Sequence, residues 1–267
     1  MWNVTWTPSN SIRLTGATAT DGRLMVDTGL HWIRKDDPAD MFPLPEQALA
    51  EPDGLLAAGG DLSTDRLLHA YRRGIFPWYE EGQPVLWWSP DPRCVIPTDK
   101  LHISRRTRRA LANSGFVIEF NQRFDATVSA CAEPRAGQSG TWITADMRRA
   151  YRALHDHGWA HSIEIVQHDR LVGGMYGLAI GRCFFGESMF SRAANASKAA
   201  LLACCQITRK SGFTLLDCQV VSPHLLTLGA ELMPRRRFVE SVQSGTTPPT
   251  PFTGWPQQAL PVRELLD

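Results

Sequence analysis

Residues 216–220, LDCQV, place two polar side chains one residue apart in an apolar run. In an extended strand, successive side chains point to opposite faces, so Asp217 and Gln219 are predicted to share one face and Cys218 the other. A carboxylate and an amide on one surface could orient a nucleophilic group and accept its proton as it attacks. A buried Asp/Gln pair that only stabilises the sheet is the alternative, and the spacing by itself favours it.

A second candidate site lies in the string FFGESMF, residues 184–190. If this segment is extended, Glu187 shares a face with Phe185 and Met189, and the opposite face carries Phe184, Gly186 and Ser188. A carboxylate flanked by aromatic residues and methionine is unusual, which marks Glu187 as a candidate. Ordinary core packing is the alternative, because Phe and Met at such spacings usually lie in a core.

The charge of the chain is unevenly distributed. The formal net charge is +1, but residues 93–123 carry seven Lys or Arg against two acidic residues, a local net charge of +5. Four arginines of this segment follow the candidate N-cap Ser104 and cover one broad helical face: Arg105, Arg106, Arg108 and Arg109. Clustered cations of this kind suit a polyanion. The alternative is a solvated helix face, although four arginines with no acidic residue between them exceed what solubility requires.

Length and composition exclude several classes of protein. The 267 residues are 43% hydrophobic and 21% charged, which is typical of a globular chain with one large or two modest domains. The longest apolar run, residues 199–205, is far shorter than the ~20 residues of a membrane-spanning helix. Because the N-terminus lacks the pattern of a secretory signal, we expect a cytoplasmic protein with reduced thiols.

The sequence contains no recognisable metal or nucleophile motif. His155, His157 and His161 match no common zinc spacing, so we expect no metal. The six cysteines form no CxxC pair, and we interpret them as small buried hydrophobic residues. The chain also lacks a GxSxG string, so the motifs do not indicate a covalent nucleophile.

Capping residues and periodicity predict the elements that must position these side chains. Helices are expected to begin at four N-cap residues, namely Ser63, Ser104, Asn195 and Ser222. Another helix is predicted from Thr144 to Gly158, with its buried stripe at Met147, Ala150, Tyr151 and Leu154. A short strand at residues 116–120 and a short helix at 122–132 precede it.

The period changes after residue 160, where three consecutive strands are predicted, the first turn being made by Asp169 and Arg170. The order from residue 144 onward is therefore helix, three antiparallel strands, helix, strand, helix. This order indicates a mixed α+β sheet like that of an acyltransferase. We expect an N-terminal extension at residues 1–28, a smaller N-terminal α/β module at 29–135 that holds the basic helix, and the sheet domain at 136–267.

Eight strings resemble the leucyl/phenylalanyl-tRNA–protein transferase family, in order, between about residue 30 and about residue 238: GLLAAGGDLS, YRRGIFPWY, LWWSPDPR, GTWIT, AYRALHDHGWAHSIE, LVGGMYGLAIG, FFGESMFSRAANASK and LDCQV. The resemblance implies transfer of Leu or Phe from an aminoacyl-tRNA to proteins that begin with Arg or Lys, which marks them for degradation by the N-end rule. It also implies a GNAT-like catalytic sheet with no metal or organic cofactor. We further expect a monomer and no membrane partner.

The resemblance also assigns roles to individual residues. Asp217 and Gln219 match the proposed proton-relay pair, and it stays open whether Asp217 is the base or only positions Gln219. Trp78 and Trp142 match positions around the donor's terminal adenosine and amino acid, and the basic helix would bind the acceptor-stem phosphates. The remaining donor-binding positions are Met175, Phe184, Glu187, Ser188, Met189, Leu201 and Leu216. Unbranched Met suits a pocket that takes both an aliphatic and an aromatic guest.

The chemistry so implied is direct aminolysis of an ester, which needs positioning and charge stabilisation rather than a covalent intermediate. Three alternatives are an acyl-CoA-dependent GNAT enzyme, a Fem-type transferase that acts on a peptidoglycan precursor, and a non-catalytic tRNA-binding module. The segment SRAANASK, residues 191–198, lacks the glycines of a pyrophosphate loop, which disfavours coenzyme A. The strings FFGESMF and LDCQV favour a protein acceptor over the Fem-type reaction.

Overall fold

The computed structural model describes residues 30–134, 141–245 and 250–266. The predicted N-terminal extension, residues 1–28, lies outside the described residues. The described part of the chain alternates short helices and strands over its whole length.

The described residues form seven α-helices, and five of them begin at predicted caps. The Oγ atoms of Ser63, Ser104, Thr144 and Ser222 each accept a backbone N–H from the first helical turn. Asn195 stands at the predicted N-cap but makes no side-chain cap. The helices are α1 Thr64–Arg72, α2 Arg105–Ala112, α3 Phe124–Cys131, α4 Ala145–Asp156, α5 Ala196–Lys210, α6 Pro223–Thr227 and α7 Arg235–Gly245.

The strands form two sheets. The smaller sheet has the order β1-β2-β4-β3, and the eight-stranded sheet has the order β11-β5-β10-β9-β8-β7-β6-β12. The strands are β1 His31–Ile33, β2 Leu55–Gly59, β3 Phe76–Pro77, β4 Leu86–Trp88, β5 Arg93–Pro97, β6 Val117–Phe120, β7 Ala160–Gln167, β8 Arg170–Ile180, β9 Cys183–Ser191, β10 Leu215–Gln219, β11 Glu231–Met233 and β12 Leu260–Pro261. The α+β class and the order of elements after residue 144 are confirmed.

Strands β6 to β9 are antiparallel neighbours, whereas β10 runs parallel to β9 and antiparallel to β5. The first turn of the meander was predicted one residue too late. His168 and Asp169 have φ values of +48° and +60°, and Arg170 already pairs with Gln167. Positive φ at both central positions is the signature of a two-residue hairpin turn of type I′.

The eight-stranded sheet separates two hydrophobic clusters. The first, which we call the tyrosine-side cluster, includes Tyr71 of α1 and Tyr151 of α4 and also covers the small sheet. The second, the α5-side cluster, contains the buried face of α5. All six cysteines are free and buried, as predicted. In the eight-stranded sheet, β5 and β6 precede residue 135 in the sequence, and they pair with strands that follow residue 135.

No helix in the described ranges has the length and apolar character needed to cross a bilayer.

Candidate active site

The strand β10 carries the predicted polar pair next to a β-bulge. Asp217 pairs with Val95 and Gln219 pairs with Cys94, so Cys218 is the extra residue. Gln219 has a φ of +58°, and its backbone N–H donates to Oδ1 of Asp217 at 2.9 Å. Cys218 lies in the α5-side cluster, while the polar contacts of Asp217 and Gln219 lie on the tyrosine side. The side-chain contacts therefore place Asp217 and Gln219 on one side and Cys218 on the other, as predicted, although the bulge pairs Gln219 with Cys94 of the α5-side cluster.

Asp217 is held by a buried arginine that the sequence analysis did not single out. Nε and Nη2 of Arg93 donate to its two carboxylate oxygens at 2.8 and 2.7 Å, and the two side chains are 1% and 0% exposed. Arg93 Nη1 also donates to the Gly74 carbonyl. The guanidinium lies between the rings of Phe76 and Phe238, at 4.7 and 4.6 Å. The carboxylate of Asp217 is therefore fixed in place and paired.

The position of Arg93 corrects the interpretation of the basic segment. It was counted among the seven cations available to a polyanion, but it is completely buried. An arginine inside the apolar string RCVIP is a signal that could have identified it, because a buried Arg nearly always has a partner.

Glu187 accepts hydrogen bonds from three side chains. Tyr71 Oη donates to Oε1 at 2.7 Å, Tyr151 Oη donates to Oε2 at 2.6 Å, and Gln219 Nε2 donates to Oε1 at 3.1 Å. Burial raises the pKa of Glu187 to about 7, opposed by the hydroxyl donors Tyr151 and Tyr71. The sequence analysis placed Tyr151 in a buried stripe but did not connect either tyrosine to the site, since they lie on helices far apart in the chain.

Glu187 itself is the extra residue of a second bulge. Tyr176 pairs with Ser188 and Gly177 with Gly186, so Glu187 has no direct partner on β8. Met189 consequently falls in the α5-side cluster, and the prediction that it shares a face with Glu187 is wrong. Ser188 shares a face with Tyr176 rather than with Phe184, because directly opposed residues lie on the same face. A bulge shifts the alternation by one residue, which the sequence pattern alone does not reveal.

The two bulges lie where β9 and β10 separate. Their parallel pairing ends at Phe185 and Asp217, whereas β9 continues to Ser191 and β10 to Gln219. Glu187 and Gln219 stand two residues beyond the last pair and join their side chains across the split. The site therefore lies at the end of the β9–β10 pairing.

Gly177 has no room for a side chain beside this bulge. A Cβ there would lie 2.1 Å from the Phe185 carbonyl oxygen and 2.7 Å from Cε1 of Phe184. We therefore expect Gly177→Ala to lower the free energy of unfolding by about 3 kcal/mol or more. The control is Gly82→Ala, where φ is +81° but the space is open, and which should cost only about 1–2 kcal/mol. Urea unfolding measures both, and equal losses would contradict the close approach.

Five of the residues expected to bind the donor side chain lie together in the α5-side cluster. Each is at most 5% exposed: Met175, Phe184, Met189, Leu201 and Leu216. They pack together in the core between β8, β9, β10 and α5.

Trp78 and Trp142 lie on the other side of the sheet, where both are half-buried against the tyrosine-side cluster. The Trp78 carbonyl accepts the indole N–H of Trp88 at 2.7 Å. Trp87 and Trp88 are buried and make structural hydrogen bonds. The structure therefore places the two half-buried tryptophans on the same side as Glu187.

The basic helix α2 exposes three of its four arginines, Arg105, Arg106 and Arg109. Arg108 is half-buried, and its guanidinium donates to the carbonyls of Ile103 and Leu266 at 3.3 and 2.8 Å. Arg108 thus ties α2 to the C-terminal segment.

The three candidate histidines have separate surroundings. Nδ1 of His155 and of His157 contact the carbonyls of Ala160 and Ala153, and burial lowers the pKa of His161 to about 3. Among the described residues, no group of three His, Cys, Asp or Glu side chains is arranged to hold a metal ion.

Comparison with known proteins identifies the family. The sequence models described as "Leucyl/phenylalanyl-tRNA protein transferase" and as the N-terminal domain of that protein match residues 95–243 and 60–91. Relatives of that name from Xanthomonas axonopodis pv. citri and Xylella fastidiosa are 54% identical over 215 residues and 56% identical over 213 residues. The matches cover 80% and 79% of this chain and 86% and 88% of the relatives.

The chain therefore belongs to the leucyl/phenylalanyl-tRNA–protein transferase family, whose members are aminoacyltransferases. Among solved structures, FemX matches with a TM-score of 0.42 and 12% identity, over 67% of this chain and 71% of FemX.

Proposed function

We propose that this chain transfers leucine or phenylalanine from an aminoacyl-tRNA to the N-terminal Arg or Lys of acceptor proteins and so marks them for degradation. The supporting observation is the buried polar cluster of Asp217, Gln219 and Glu187 at the strand split, in a chain of this family. Because the donor is a tRNA, we expect the reaction to take place in the cytoplasm. The parallel β9–β10 pair beside an antiparallel meander supports a GNAT-like sheet.

Gln219 and Asp217 have different roles in the proposed reaction. Arg93 engages both carboxylate oxygens of Asp217, so we assign Asp217 as a positioning residue that fixes Gln219 through its backbone N–H. The side-chain carbonyl of Gln219 can then accept a hydrogen bond from the acceptor's α-amino group and aim it at the ester. The amine attacks the ester carbonyl directly, and the 3′ oxygen of the tRNA leaves as a hydroxyl.

The donor's amino acid side chain would reach the apolar cluster on the α5 side through the split between β9 and β10. Met175 and Met189 pair across β8 and β9, and unbranched Met can repack around either a Leu or a Phe side chain. Glu187 and Ser188 would meet the donor's polar groups. Trp78 and Trp142 would pack around the terminal adenosine, where aromatic stacking contributes about 1–3 kcal/mol per base.

Purified protein incubated with radiolabelled Leu-tRNA and matched peptides that begin with Arg, Lys or Ala tests this function. Label should enter the Arg and Lys peptides and not the Ala peptide. Parallel reactions with an acyl-CoA donor and with a peptidoglycan precursor as acceptor should give no product. Equal labelling of the Ala peptide, or no labelling of any peptide, would contradict the proposal. Binding of tRNA without transfer would support the non-catalytic alternative.

The exposed arginines of α2 give a second test. We expect Arg105→Ala combined with Arg109→Ala to weaken tRNA binding and to flatten its salt dependence by about one unit of slope for each phosphate that is no longer neutralised. Transfer from a minimal aminoacyl-nucleoside donor should change little, because such a donor lacks the stem phosphates. Filter binding over a salt series measures the slope.

Arg108→Ala serves as the control for that experiment, because its guanidinium holds two backbone carbonyls. It should lower thermal stability more than the double variant does. If the double variant reduced transfer equally with both donors, the role in phosphate binding would be wrong.

A further inference from the structure

We propose that Glu187, Tyr71 and Tyr151 form a proton-accepting ring, in which Glu187 takes the proton that the acceptor's α-ammonium group loses before attack. This inference rests on the proposed function for the identity of the amine. The ring itself does not depend on that function, because it follows from the number of hydrogens available to three contacts between oxygen atoms.

The three side chains make a closed triangle of oxygen contacts. Tyr71 Oη lies 2.7 Å from Glu187 Oε1, Tyr151 Oη lies 2.6 Å from Oε2, and the two hydroxyl oxygens are 2.5 Å apart. Each contact needs one hydrogen between its two oxygens. Two tyrosine hydroxyls supply two hydrogens, so an ionised Glu187 leaves one contact of the triangle without a hydrogen.

A single added proton completes the triangle. With Oε2 protonated, Glu187 donates to Tyr151, Tyr151 donates to Tyr71, and Tyr71 donates to Oε1, which also accepts from Gln219 Nε2. Every contact then has one donor and one acceptor. The geometry therefore favours a site that binds one more proton than the ionised carboxylate carries.

The groups around Glu187 set its pKa close to that of an α-amino group. Burial raises its pKa to about 7, and the carboxylate of Asp217 acts in the same direction, while Tyr151, Tyr71 and Arg93 lower it. Tyr176 on β8 also faces it, and among the described residues its buried hydroxyl has no hydrogen-bond partner. An α-amino group titrates near ~8, so a proton can pass between the two groups at small cost.

Protons and bonds balance in the proposed step. The α-ammonium gives one proton to the Glu187 carboxylate, which leaves a neutral amine and a carboxylic acid. The amine nitrogen then bonds to the ester carbonyl carbon, the bond from that carbon to the 3′ oxygen breaks, and a second N–H proton goes to the 3′ oxygen. Glu187 returns its proton to solvent after the peptide leaves.

The direct test is the titration of Glu187 in the whole protein without substrates. Difference infrared spectroscopy monitors this titration through the band of the protonated carboxyl group. We expect a carboxyl band that disappears as the pH rises through about 7 and that is absent from Glu187→Gln. Tyr151→Phe opens the ring and should displace this transition, and an unchanged transition would overturn the ring. A titration of Glu187 near its ordinary ~4.3 would overturn the ring, whether or not the protein transfers amino acids.

The second readout is the pH profile of single-turnover transfer from Leu-tRNA to an Arg peptide, between about pH 5.5 and about pH 8.5. The rate should fall about tenfold per pH unit below the pH at which Glu187 titrates, and we call this part of the profile the Glu187 limb. Glu187→Gln should be slower by about 10²-fold or more and lack that limb, whereas Tyr151→Phe should move it together with the Glu187 titration. A merely structural Glu187 would leave the limb unmoved in both variants, which would overturn its role in the reaction. A titration near 7 in a protein that transfers nothing would instead contradict the proposed function.

Discussion

Arg93→Met is expected to lower the free energy of unfolding by about 3–5 kcal/mol, because it leaves the carboxylate of Asp217 buried without its partner. The variant also removes the stacking of the guanidinium between Phe76 and Phe238. Urea unfolding followed by tryptophan fluorescence measures the destabilisation. The matched control is Arg236→Met, which removes an exposed arginine paired with Glu240 and should cost less than about 1 kcal/mol.

The double variant Arg93→Met with Asp217→Asn separates the buried charge from the packing. It should recover part of the stability, since the carboxylate no longer lies unpaired in the interior. It should transfer more slowly than the wild type, because the carboxylate that accepts the Gln219 backbone N–H has become a weaker, neutral acceptor. A single Arg93→Met variant as stable as the wild type would contradict the burial of this ion pair.

Gln219→Ala is expected to lower kcat for transfer by about 10²- to 10⁴-fold, with a small change in stability. The amide is the group assigned to orient the attacking amine, and it also donates to Glu187. Alanine bears much the same backbone cost as glutamine at this left-handed position, where φ is +58°. Single-turnover kinetics with saturating Leu-tRNA and an Arg peptide measure the effect.

Gln206→Ala is the control of matched residue type, because Gln206 Nε2 donates to the Leu265 carbonyl at the C-terminal end of the chain, away from the strand split. It should lose a similar hydrogen bond and keep its transfer rate. If the two variants had equal kcat values, Gln219 would have no role in the chemistry. If Gln219→Ala unfolded at the same urea concentration as wild type yet raised only KM, its role would be binding alone.

Local signals predicted the helices that carry the site. Ser63, Ser104 and Ser222 could be identified as caps because a cap depends on residues three positions away. The stripe of α4 correctly placed Tyr151 in the core. Such features involve neighbours in the sequence, so they can be derived without a three-dimensional structure.

The parts that could not be predicted depend on distant partners. Arg93 and Asp217 lie 124 positions apart, and an isolated arginine in a basic segment gives no indication of which carboxylate it will meet. The bulges at Glu187 and Cys218 depend on the register of the neighbouring strands. They decide whether Met189 faces Glu187 and whether Gln219 reaches it. Strict alternation predicted the pair on β10 correctly but failed on β9.

In the proposed reaction, a charged tRNA terminus and a free amine react directly beside Gln219, with no covalent bond to the protein. Intact-mass spectrometry of a quenched single turnover, with Phe-tRNA, an Arg peptide and excess protein, measures both partners at once. We expect the peptide to gain one phenylalanyl residue on its N-terminus while the mass of the protein stays constant at every time point. Protein that carries a phenylalanyl group before the peptide does, or a peptide that is never modified, would contradict direct transfer.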